Sequence, residues 1–131
     1  MTIQRLTAND FTVLENPGVI SVQIVWGENA PDARATITRV TMQSGAVSPR
    51  HTHEIAEQTW LVERGEATLL LTDDGTAPLQ VGDVVRTPAG DVHGIKNTGT
   101  GEFVYLAITT PPQNFGPAYE RHRKIRDGVD R

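Results

Sequence analysis

Two histidines one residue apart, His51-Thr52-His53, are the first feature of this sequence that could do chemistry. On an extended segment, residues i and i+2 project to the same side, so two imidazoles at this spacing can share one ion. The chain has no cysteine. Any metal must therefore be held by imidazole, carboxylate, amide or water, and neither disulfides nor thiolate centres are available. Around the pair, Gly45 lies upstream, Pro49 stiffens the approach, and Gln58 opens an apolar run that ends at Gly65.

The elements that must position these residues are strands. Gly (12) and Pro (8) punctuate short runs rich in Val, Ile, Thr and Leu, a pattern that predicts an all-β domain with few helices. Strands are expected at Val19–Trp26, Ala35–Met42, Gln58–Glu63, Ala67–Thr72, Val84–Thr87 and Phe103–Thr109, with turn-prone clusters between them. Asp73-Asp74-Gly75 reads as a hairpin turn in which Gly takes the positive φ. Short, evenly spaced strands suit a sandwich or closed barrel. After Pro111-Pro112 the pattern changes, and YERHRKIRD is expected to make a short helix or an arm.

At 131 residues the chain is expected to form one domain, 1–131, with a barrel core over about 19–110 and a tail over 111–131. Twelve Lys and Arg against sixteen Asp and Glu give a net charge of -4, which argues against a nucleic-acid surface. The N-terminal stretch has no basic-then-apolar signal pattern and the most apolar segment, Val19 to Trp26, is too short to span a membrane. The expectation is a cytoplasmic protein, with no membrane partner, acting on a small organic substrate or ligand.

Two spaced patterns then give a resemblance. Gly45, His51, His53, Gln58 and Gly65 nearly match the first motif of the cupin superfamily, G-x5-H-x-H-x3 or 4-E-x6-G. Gly82, Pro88, Gly90, His93 and Asn97 match every fixed position of its second motif, G-x5-P-x-G-x2-H-x3-N. The sequence thus resembles a small single-domain cupin. That resemblance implies a double-stranded β-helix, or jelly-roll barrel, of six to eight antiparallel strands. Inside it would lie one divalent ion (Zn, Mn, Fe or Ni) held by His51, His53, Gln58 and His93. Barrels of this family usually pair, so a homodimer is implied, and the Val19–Trp26 strand is expected to supply the sheet edge for it.

The family's fourth donor is a Glu three or four residues beyond the second histidine, a position this chain fills with Glu57 or with Gln58. Counting back from Gly65 lands on Gln58, and alternation places Gln58, Trp60 and Val62 on the inner face, with Glu57, Thr59 and Leu61 outside. A Gln ligand leaves the ion more electrophilic than Glu would and cannot take a proton. Lewis-acid chemistry on an oxygenated organic substrate follows: a lyase, isomerase or cyclase. Cupins that process uronate sugars, and some polyketide cyclases, resemble this His-x-His-x4-Gln variant. The uronate enzymes also carry an acid and an Arg downstream, where this chain reads Ile108, Thr110, Gln113 and Asn114. A cupin dioxygenase with a redox metal, or a non-catalytic module that binds a sugar or metabolite, are the competing readings. Arg39 and Arg86 are expected to point outward, and Trp60 and Tyr105 to wall the pocket or pack in the core.

Overall fold

Alternating burial along paired strands organises the chain. In β3 (Thr36–Met42) every second residue, Thr36, Thr38, Val40 and Met42, is buried, and in β10 (Phe103–Thr110) the same holds for Phe103, Tyr105, Ala107 and Thr109. These two strands pair antiparallel along their length and form the centre of a sheet. A computed structural model describes residues 2–130. Its other strands are β1 (Thr12–Asn16), β2 (Val19–Val25), β4 (Val47–His51), β5 (Glu57–Arg64), β6 (Glu66–Leu70), β7 (Thr76–Gln80), β8 (Val84–Thr87), β9 (His93–Lys96) and β11 (Arg121–Lys124). One sheet runs β11-β1-β2-β3-β10-β5-β8 and the second β4-β9-β6-β7, which together make the all-β double-stranded β-helix. Between the sheets lies a core that includes Val40, Met42, Val62, Leu69, Leu79, Ile95 and Phe103.

All six expected strands are present, within one or two residues at most ends. Five further strands were not expected, so the described chain exceeds the six to eight strands of the anticipated barrel. Gly65 marks why some turns are obligatory. Its φ is +78°, and a Cβ there would lie 2.2 Å from the Glu102 carbonyl oxygen. The turn after β6 differs from expectation in detail: Asp73 (φ 54°) and Asp74 (φ 60°) take the left-handed conformation, while Gly75 donates its N–H to the Thr72 carbonyl at 3.0 Å. Asp tolerates that region through its short polar side chain.

One expectation is overturned. Val19–Val25 is not a sheet edge, because β1 pairs on one side of it and β3 on the other. It therefore cannot supply the free edge on which the dimer expectation was argued. Of the two forms expected for the tail, the structure shows the arm: residues Arg121–Lys124 form β11 on the outer side of β1, in the register Leu14↔His122. Arg121 and Lys124 would share one face of a helix, whereas on a strand they point to opposite faces. Arg123 there meets Glu15 and, through Nη2, the buried Asp130 at 2.7 Å.

Candidate metal centre

Strands β4 and β9 bring the histidines together. They pair so that His51 stands opposite His93, with an irregularity in the ladder between Ser48 and His51. Gly94 permits this approach: a Cβ on it would meet the Ser48 carbonyl oxygen at 2.7 Å and the Arg50 nitrogen at 2.9 Å. His53 follows β4 in the loop, anchored where its carbonyl accepts the Gly90 N–H at 2.8 Å. A ligating nitrogen from each of the three imidazoles falls within 4.8 Å of the others. Ring centroids lie 5.0 Å apart for His51 and His53, 4.5 Å for His51 and His93, and 5.2 Å for His53 and His93.

Backbone carbonyls fix which nitrogen each ring presents. His51 Nδ1 lies 2.7 Å from the Pro49 carbonyl oxygen and His93 Nδ1 lies 3.0 Å from that of Asp91. A carbonyl only accepts, so each Nδ1 carries the proton and each Nε2 keeps its lone pair. The Nε2 atoms of His53 and His93 are buried without a hydrogen-bond partner. Buried nitrogens left unpaired and converging on one point are what a metal requires and what a plain core would avoid. Burial, followed by repulsion from His51, lowers the His53 pKa, against a hydrogen bond to the Gln113 side chain that raises it. For His93 burial dominates, the Asp91 carbonyl opposes it, and the two other imidazoles add repulsion, leaving a pKa of about 4. Both rings are thus neutral, the ligating form, at physiological pH.

Gln58 is buried and lines the same cavity as His51 and His53. Its Oε1 accepts the Trp60 indole N–H at 3.1 Å, and its Nε2 donates to Thr109 Oγ1 at 3.0 Å. Indole only donates, which sets the amide's orientation and leaves one lone pair on Oε1. Glu57 lies on the opposite face of β5, half-buried and 2.8 Å from Arg86. Arg39 likewise faces out, 2.8 Å from Glu63. Trp60 combines both expected roles, in the core cluster and against His93 with ring centroids 5.5 Å apart. Asn97 is structural: buried, it donates to the carbonyls of Met42 and Gly101 at 2.9 Å and accepts from Gly99.

A cavity of about 510 Å³ opens over the histidines. Part of its wall was not foreseen from sequence. Gln113, Phe115, Ala118 and Tyr119, all from the tail, face it as a strap across the barrel. The Gln113 N–H donates to Thr36 Oγ1 at 3.0 Å, and the Phe115 ring stands edge-on to His53. No signal near these residues announces a site, since their partners lie tens of residues away. His122 contacts the Gly116 carbonyl at 3.0 Å.

The sequence profile of the cupin domain matches residues 38–109, more than half of the chain and all of the histidine cluster. The chain belongs to the cupin family. Solved cupin-fold structures agree with that assignment. The polyketide cyclase RemF from Streptomyces resistomycificus is 20% identical, with a TM-score of 0.70 over 98% of this chain and 89% of its own. A predicted oxalate decarboxylase from Thermotoga maritima is 21% identical, with a TM-score of 0.70 over 82% and 99%. A sugar phosphate isomerase from Silicibacter pomeroyi is 27% identical, with a TM-score of 0.63 over 72% of this chain and 60% of that one. A search of curated proteins finds no match to the sequence. Cupins similar to this chain thus include a cyclase, a predicted decarboxylase and an isomerase. Among the described residues no helix is long and apolar enough to cross a membrane.

Proposed function

We propose that this cupin is a metal-dependent lyase, isomerase or cyclase acting on an oxygenated organic substrate. His51, His53 and His93 hold one divalent ion, and Gln58 is the fourth donor. The observation that carries the reading is the convergence of three imidazoles, two of them with buried and unpartnered Nε2 atoms, beneath an open cavity. When bound, the ion supplies Lewis acidity toward a carbonyl or enol oxygen. The chain's own residues do the rest. Pro49 and Asp91 hold the imidazole tautomers through their carbonyls, and Trp60 and Thr109 hold the Gln58 amide. Trp60, Tyr105 and Phe115 exclude water from the cavity wall. Among the described residues no Asp or Glu lines that wall, and the imidazoles of His51 and His53 and the phenols of Tyr105 and Tyr119 stand there as groups able to move a proton.

The reading is tested by elemental analysis of purified protein and of His51→Ala, His53→Ala and His93→Ala. Stoichiometric zinc in the parent, and loss of most metal in each variant, is expected because each removes one of a small set of donors. Two variants that retain a full equivalent would overturn the site. A stoichiometric redox-active metal would move the assignment to a dioxygenase.

A further inference from the structure

The candidate site gathers positive charge and holds nothing to balance it. Its proposed donors are three imidazoles and the Gln58 amide, all neutral, so a divalent ion held by them keeps both of its charges. The protein carries sixteen Asp and Glu, yet among the described residues none lines the cavity of about 510 Å³ above the histidines. Three acids lie close to the ligands in sequence. Glu54 and Asp91 are exposed and outside that lining, and Glu57 sits on the opposite face of β5, where Arg86 pairs with it at 2.8 Å.

Arg50 adds to the imbalance. It lines the same cavity, and its guanidinium donates to the backbone carbonyls of Leu71 at 2.6 Å and Gly75 at 3.1 Å. Arg39 and Arg86, which face outward, are each paired with a carboxylate. Carbonyl dipoles orient a guanidinium but cancel none of its net charge. A cavity walled by Trp60, Tyr105 and Phe115 screens charge less than water does, so the opposite charge that such a site lacks is worth most when a ligand brings it. A Glu at position 58 would bring one negative charge from the protein itself. Gln58, fixed by Trp60 and Thr109, leaves that charge to the ligand.

We propose that the cavity selects an organic anion, bound through an ionised oxygen at the histidine cluster, and that Gln58 and Arg50 are the residues that set this preference for charge. The inference rests on the metal-dependent reading. Calorimetric titration of zinc-loaded protein with 2-naphthoate and 2-naphthamide, which share a shape and differ in charge, tests it, with zinc content measured in every sample. The carboxylate is expected to bind at least about tenfold more tightly than the amide. Gln58→Glu, which the same donor geometry lets keep its zinc, should narrow that ratio by about tenfold or more, because the protein then supplies the missing charge. Arg50→Gln should weaken the carboxylate about two- to fivefold at low salt, with the effect fading as salt is added and the amide unchanged, whereas a merely structural role would weaken both ligands alike. Equal binding of the two ligands to zinc-loaded parent protein, or no binding of the carboxylate, would overturn the inference while leaving the metal reading intact. A parent protein that fails to retain zinc would sink the metal reading and this preference with it. The parent comparison decides even where a variant loses its metal.

Discussion

Protonation of His93 should make the metal-free protein lose stability in mild acid. In the unfolded chain its imidazole titrates at 6.5, and in the folded protein burial holds it at about 4. Between those values the unfolded state binds more protons, so stability is fully present above pH 6.5 and falls as pH drops toward 4. At pH 5 the unfolded imidazole is almost wholly charged while the folded one is almost wholly neutral. The linkage integral from pH 7 to pH 5 gives a loss of about 2 kcal/mol from this one group. Urea unfolding in the presence of a chelator, followed by tryptophan fluorescence at pH 7, 6 and 5, measures it. His93→Gln has no titrating group at this position, so its stability should fall by about 2 kcal/mol less than the parent's over the same interval. Parallel curves for parent and variant would refute the argument, and would mean that His93 is charged in the folded metal-free protein. The same neutrality predicts that metal affinity falls with pH, as protons compete for Nε2.

Two further outcomes follow from other contacts. Gln58→Glu should keep or tighten metal binding, since Trp60 can still donate to the carboxylate and the Thr109 hydroxyl can turn to do the same, whereas Glu57→Gln should cost only the half-exposed Arg86 pair and leave metal content unchanged; metal occupancy after dialysis against a weak chelator checks both, and loss of metal in Glu57→Gln alone would transfer the ligand role. Asp130→Asn should loosen β11 by about 1–2 kcal/mol by weakening the pairing with Arg123, and because Arg123 holds the Asp130 pKa down to about 2, acid should release the strand as pH falls from about 4 toward 2; amide hydrogen exchange in β1 and β11 reads both effects, and unchanged protection would refute them.

How much of this was legible in the sequence depends on who forms each strand. Where residues alternate and are β-branched, as in β3 and β10, the chain announces its own strands and faces. Of the five missed strands, β4 (VSPRH), β7 (TAPLQ), β9 (HGIK) and β11 (RHRK) carry Pro, Gly or clustered charge and have little intrinsic preference for extension, whereas β1 (TVLEN) is short. They are strands because a neighbour offers them hydrogen bonds, which no local pattern records. The histidines and Gln58 were legible because turn glycines and Pro88 sit at fixed distances from them. Gly94 was not, since its need for a missing side chain arises only when β4 folds against it. Ser21 and Gln23 read as interruptions of an apolar run, yet the pleat turns those two inward and leaves Ile20 and Val22 on the outer face. Tyr119 and Phe115 were invisible as site residues because the strap reaches the cavity only after the whole barrel has closed.

That strap divides the labour of the protein between two stretches of chain that can vary separately. Residues that hold the histidines lie between Pro49 and Gly94, while four of the groups facing the cavity come from Gln113 to Tyr119 and are fastened through contacts made elsewhere, on Thr36 and β1. A substitution in the strap can reshape what the cavity accepts without disturbing the tautomers of His51 and His93. Selection, or an engineer, could therefore redirect such a barrel to a new compound by rewriting tail residues such as Ala118 and Tyr119, leaving Gln113 and Phe115, which act on His53, in place.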